Sequence, residues 1–255
     1  MVSATAFIFA AFTAGAYALP RCRPTPTLPS TGLGDNLPPP PAGLVLKKIA
    51  LGHGLQNYTC SSTNIAAAAD AKGALAALYD VTTLWPGTPK TGLPSQEAFN
   101  TLTSTVIHSQ DIPLNLAKPE AAEAGYTGSS LNFLATSIPF IAPEDLELGS
   151  TTAKFLGHHY FDKDGTPTFD LSEAGLKASV VKQTSAPVPV GADPGPLGTG
   201  AVAWLLLKDS EKGLSNGVSV VYRVITAGGN PESCSTTGLG STTSVPYTAF
   251  YWFFG

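Results

Sequence analysis

The side chains best suited to chemistry crowd into one stretch, Leu156 to Leu171, which reads Leu-Gly-His-His-Tyr-Phe-Asp-Lys-Asp-Gly-Thr-Pro-Thr-Phe-Asp-Leu. Within it His158, His159 and Asp170 are the candidate catalytic residues, because an imidazole oriented by a carboxylate can act as a general acid or base. Asp164-Gly165 suits a two-residue type I′ hairpin turn, in which both central residues need positive φ. Such a turn sets Lys163 opposite Thr166, Phe161 opposite Thr168, Tyr160 opposite Phe169 and His159 opposite Asp170. The hairpin then presents an aromatic pair beside a His–carboxylate pair. A single cross-strand pair of this kind also occurs for structural reasons alone, and the sequence ties no nucleophile to it.

Other chemistries fit less well. Successive strand residues point to opposite faces, so His158 and His159 do not readily share one metal. Asp162 and Asp164 resemble the opening of a calcium loop, but the full Asp-x-Asp-x-Asp-Gly run is not met, and Pro167 and the turn compete with it. No metal and no cofactor is therefore expected. Gly32-Leu33-Gly34, Gly52-His53-Gly54 and Gly238-Leu239-Gly240 lack the third glycine and following helix of a dinucleotide fingerprint. A Walker loop, a Gly-x-Ser-x-Gly elbow, His-Glu-x-x-His and Cys-x-x-Cys are all missing.

The elements that would position these residues read mostly as strands. Leu44 to Leu51 is one arm, and Gly52-His53-Gly54 looks like a Gly-bearing hairpin loop leading to a second arm, Leu55 to Cys60. Alternation in that second arm puts Asn57 and Thr59 on one face and Gln56, Tyr58 and Cys60 on the other. Gln56 and Tyr58 join Tyr160 and Phe169 as candidate ligand-binding residues. Residues 73–83 alternate as a strand despite their alanine content. Residues 95–108 are the one helix, with Ser95 as its cap and Phe99, Leu102 and Val106 on one stripe. Past residue 110, Ser129 to Phe140, Leu176 to Lys182, Ala201 to Lys208, Gly217 to Thr226 and Tyr247 to Phe254 read as strand segments. In the last, Phe250, Trp252 and Phe254 share one face and Tyr251 and Phe253 the other, both covered. Short strands punctuated by Gly and Pro imply a mostly β fold, an antiparallel β-sandwich or barrel with one short helix.

Composition narrows the setting. Charged residues make up 13% of the chain, against about 25% in ordinary soluble domains. The net charge is −4 and arginine occurs only at 21, 23 and 223, so no nucleic-acid partner is expected. Residues 1–18 read as a secretory signal peptide, with an apolar run ahead of Ala16-Tyr17-Ala18. No later stretch is apolar enough to span a membrane. Residues 19–43 form a Pro-rich segment expected to be extended and poorly packed, and 44–255 a single domain. In an exported chain Cys60 and Cys234 are expected to pair, with Cys22 left over in the Pro-rich segment. Asn57-Tyr58-Thr59 is the one N-glycosylation sequon, and its outward face agrees with an inward Cys60.

Several segments together resemble an uncharacterised family of exported fungal and bacterial proteins. They are Gly54 to Cys60, Leu156 to Tyr160, Trp204 to Leu207, Thr226 to Cys234, and Val245-Pro246-Tyr247 with Tyr251. The resemblance implies a single secreted domain, a Cys60–Cys234 disulfide and no settled activity. Many fungal members carry the label malate dehydrogenase. The residues here lack what that chemistry needs, a dinucleotide-binding βαβ unit and arginines to clamp two carboxylates. The expected function is a non-enzymatic, secreted or cell-wall-associated module that binds a polysaccharide or another small extracellular ligand. The alternative is a secreted hydrolase or metal-dependent enzyme centred on His158, His159, Asp162, Asp164 and Asp170.

Overall fold

The aromatic run at the C-terminus becomes the strand around which the sheet is ordered. In a computed structural model, which describes residue 1 and residues 25–116 and 135–255, the elements follow in this order. They are β1 (Leu46–Thr59), β2 (Asp70–Asp80), α1 (Gln96–Asn100), α2 (Leu102–Ser109), β3 (Leu114–Leu116), β4 (Ala135–Phe140), β5 (Leu146–Leu148) and β6 (Thr151–Phe161). Then come β7 (Pro167–Leu171), β8 (Leu176–Ala186), β9 (Trp204–Asp209), β10 (Val220–Gly228), α3 (Cys234–Thr237) and β11 (Thr242–Phe254). The signal segment beyond Met1, Cys22 and most of the apolar stretch beginning at Ser129 lie outside the described residues.

The main sheet runs β2-β1-β11-β10-β9-β8-β7-β6-β5, and β2 also pairs with β6. That extra pairing, Ala76↔His159 through Asp80↔Lys154, closes an antiparallel barrel on which β5 is a short appendage to β6. Closure removes the exposed edges that an open sheet of this size would carry. The fold is thus the barrel form of the expected antiparallel architecture. A separate two-stranded ribbon pairs β3 with β4.

Two apolar cores follow from strand alternation. One draws on every barrel strand and fills the lumen, with Tyr247, Ala249, Tyr251 and Phe253 of β11 meeting Phe169, Leu171 and Val180. Small barrels are filled in this way by their own side chains. The other lies outside the wall, where Phe250, Trp252 and Phe254 meet Trp85, Phe99, Leu102 and Val106. The helix spans residues 96–109 with a bend at Thr101, and Ser95 Oγ accepts from the Ala98 N–H as its cap. Its stripe of Phe99, Leu102 and Val106 is buried against the barrel, Phe99 stacking on Phe250 with ring centroids 4.7 Å apart.

Three local expectations change or are qualified. Gly52-His53-Gly54 is not a turn, and β1 passes straight through it. The glycines are there for space: a Cβ on Gly52 would lie 2.6 Å from Tyr251 Cε2, and one on Gly54 would lie 2.0 Å from the Leu75 carbonyl oxygen. Gly52→Ala should therefore cost about 1–3 kcal/mol through overpacking, read as a lower urea midpoint; an unchanged midpoint would contradict this packing. Second, the leader from Thr25 onward is mostly exposed and without regular structure, but it touches the barrel at a few points. Leu28 and Leu37 rest on the outer core, and the Tyr222 hydroxyl donates to Pro38 O at 3.0 Å. Third, the central hairpin has a longer loop, described next.

Candidate ligand-binding site

The β6–β7 hairpin turns through residues 162–166. Asp162 Oδ1 accepts from the N–H groups of Asp164 and Thr166 at 2.9 and 2.8 Å, and Asp162 N donates to Thr166 O at 3.0 Å. Gly165 takes positive φ but Asp164 does not, which excludes the type I′ turn. The register consequently moves by one residue. His158 faces Asp170, His159 faces Phe169, and Tyr160 faces Thr168. The expected His159–Asp170 and Tyr160–Phe169 pairs are both replaced.

This shift separates the residues singled out in the sequence. His159 and Phe169 point into the lumen and stack with centroids 4.0 Å apart, and His159 Nδ1 lies 2.9 Å from Thr168 O. Burial there drives the His159 imidazole down to about 4. His158 and Asp170 face outward. Partial burial also lowers His158, with Asp170 opposing, and its ring packs on Phe140 at 3.9 Å. The Tyr160 ring is 6.4 Å from that of Phe140. Asp162 is occupied in the turn, and Asp164 meets Lys163 at 2.8 Å. Gln56 and Tyr58 are buried lumen residues, Tyr58 donating to Gly229 O at 2.7 Å. Among the described residues no group of three His, Cys, Asp or Glu is placed to hold a metal ion.

A different group of residues converges on a cavity of about 590 Å³ outside the barrel wall. Its sides come from four places: Gln96, Glu97, Asn100, Thr101, Thr103 and Ser104 on the bent helix, the loop at 189–193, Trp204 on β9, and Ile225 to Ala227 on β10. The volume lies within the roughly 300–1,000 Å³ range usual for small-molecule sites. Asp193 fastens the loop wall. It accepts from Ser104 Oγ, from the Gly195 N–H at 2.8 Å, and meets His108 Nε2 at 3.0 Å, while its carbonyl accepts from Gly228 N. Partial burial works to raise the Asp193 carboxyl, but the hydrogen bonds from Ser104, Gly195 and His108 outweigh it and hold it below the usual carboxylate range. The acceptor of the Ser104 hydroxyl is the carboxylate and not the imidazole, so these three do not form a nucleophile-activating relay.

Two features mark the cavity wall as more than packing. Trp204 is only 1% exposed, and its indole N–H has no acceptor. A buried donor left unpaired costs about 1–3 kcal/mol. Ile225 sits at φ 47 in a bulge of β10, a left-handed conformation that a β-branched residue rarely takes. Strain of this kind, on the order of 1–3 kcal/mol, gathers at binding sites. Nothing in the local spacing of residues 96–104, 189–193, 204 and 225–227 brings them together. Only barrel closure and helix docking do so. None of these residues stands out from its neighbours in the sequence as part of a site.

The chain belongs to the family described as "Protein of unknown function (DUF3455)", which matches residues 40–255. No curated protein and no solved structure matches the chain. The matched span takes in every barrel strand, the bent helix and all residues of the cavity.

Proposed function

We propose that this family member is an exported, non-enzymatic module that binds a short saccharide or a similar hydroxyl-rich ligand in the cavity between the bent helix and the barrel. The observation that carries this reading is the cavity itself, with the polar side chains of the bent helix on one side and Trp204 on the other. The buried Trp204 N–H has no acceptor among the described residues. Around it the hydroxyls and amides of Gln96, Asn100, Thr101 and Thr103 supply the mixed donors and acceptors that a neutral polyol needs. Export is supported by the N-terminal apolar segment and the Cys60–Cys234 disulfide. Among the described residues no helix is long and apolar enough to cross a membrane. Glycosylation at Asn57 fits its half-exposed place on the outer face of β1, where Oδ1 accepts from Ser244 Oγ at 2.7 Å and the amide nitrogen lies outside that bond.

The test is a thermal-unfolding panel of wall-polysaccharide fragments, divalent cations and a chelator. A fragment present at a hundred times its Kd adds about 2.7 kcal/mol of stability. Trp204→Phe keeps an aromatic ring but removes the N–H together with part of the indole's buried volume, so its ligand-free Tm falls as well; measured against that lowered baseline, the added saccharide should bind roughly 3- to 10-fold more weakly. A panel in which no saccharide raises Tm, or in which a cation does so reversibly with chelator, would overturn the reading.

A further inference from the structure

The bent helix carries two faces with different duties. Phe99, Leu102 and Val106 pack on the barrel, while Glu97, Asn100, Thr101 and Ser104, at spacing i, i+3, i+4 and i+7, form a polar face that lines the cavity. A polar helix face is ordinarily only a solvated one. Here the 189–193 loop and Trp204 complete a cavity with it, so its charge is presented to whatever enters.

That charge has one sign. Glu97 and Asp193 both line the cavity, and among the described residues no Lys, Arg or His does. The two carboxylates play different parts. Asp193 is taken up by Ser104, Gly195 and His108, so it supplies a field and not a free acceptor. His108 meets Asp193 from outside the lining residues and offsets at most that one carboxylate. Glu97 is exposed, belongs to none of the ion pairs, and has no side-chain hydrogen-bond partner among the described residues. Its place in the first helical turn suits the helix dipole, which explains an acid there but leaves its oxygens unoccupied.

We infer that the cavity takes an amine-bearing saccharide, a short oligomer of hexosamine units whose protonated amine pairs with Glu97 in the field of Asp193. This rests on the saccharide reading above and narrows it by charge. A neutral sugar gains nothing from Glu97, an acidic sugar is repelled by both carboxylates, and N-acetylation removes the positive charge while keeping the ring. The pair is exposed to solvent, so the preference over a neutral sugar is about 3- to 5-fold at low salt. It is largely lost at roughly 0.5 M salt, where the Debye length is about 4 Å.

The test is calorimetric titration at neutral pH and low salt with equal-length oligomers of glucosamine, N-acetylglucosamine, glucose and galacturonic acid. The proteins are wild type, Glu97→Gln and Glu144→Gln. Wild type should favour the glucosamine oligomer over the glucose and N-acetylglucosamine oligomers by that factor, and bind the galacturonate oligomer most weakly. Glu97→Gln should bring the ratio of the glucosamine and glucose Kd values near one. Glu144→Gln, which removes an exposed carboxylate outside this cavity, should keep the wild-type ratio. Equal Kd values for glucosamine and glucose in wild type would overturn the inference and leave the saccharide reading standing. A glucosamine preference that survives intact in Glu97→Gln, or that falls equally in both variants, would also overturn it, assigning the effect to the overall charge of −4. Absence of binding by every oligomer would instead sink the saccharide reading, and this inference with it.

Discussion

Lowering the pH from 7 to 4 should cost the protein about 6 kcal/mol of folding stability, through two histidines that fold in their neutral form. His53 lies on the outer face of β1, opposite Thr248 and Ala77, 1% exposed and with Nδ1 unpartnered. His159 lies in the lumen against Phe169, 4% exposed. Burial pushes both imidazoles from 6.5 down to about 4. Between those values the unfolded chain binds protons that the folded chain refuses, so stability is full above pH 6.5 and is lost as pH falls towards 4. Each histidine contributes about 3 kcal/mol over that window. Asp145, Asp162 and Asp193 are held below the ordinary carboxylate range, so their losses begin lower, as pH falls through and below about 4. Urea midpoints measured from pH 7 to 4 check this. His53→Leu with His159→Phe should flatten most of the slope above pH 4, and a wild-type profile already flat there would refute the buried-neutral assignment.

Breaking the disulfide should have the next largest effect, about 5 kcal/mol for the loop that Cys60 and Cys234 close in the chain-entropy account. The two are 174 residues apart in sequence, with Cα atoms 5.6 Å apart. The bond ties the end of β1 to the short α3 turn that leads into β11, and β1 and β11 are paired along their whole length. Native structure already holds these strands adjacent, so the stabilisation falls on the unfolded chain and should appear as a lower urea midpoint after reduction. Cys60→Ala with Cys234→Ala should reproduce it. Equal urea midpoints for the oxidised and reduced protein would contradict this account.

Much of the fold was legible because its signals are local. The aromatic alternation of β11 named both of its buried faces, Ser95 and the Phe99–Leu102–Val106 stripe marked the helix, and the alternation of residues 73–83 marked β2 against its alanine content. Gly52-His53-Gly54 misled because glycines admitted for Tyr251 and for the neighbouring backbone look the same in sequence as glycines admitted for a turn. The hairpin register slipped by one because Asp162 competes for the turn N–H groups through its side chain, which a count from Asp164-Gly165 does not weigh. That one-residue change put His159 in the lumen and left His158 outside. The cavity residues come from distant segments, and sandwich or barrel was open until the β2–β6 pairing decided it.

The most direct test of the central claim is calorimetric titration of the best saccharide from the panel into wild type, Trp204→Phe, Asn100→Leu and His158→Ala. Asn100 and Trp204 line the cavity, and His158 sits on the hairpin away from it. The cavity reading predicts weakened binding in the first two variants and wild-type affinity in His158→Ala. Unchanged binding in both cavity variants, with loss in His158→Ala, would contradict it and return the site to the hairpin.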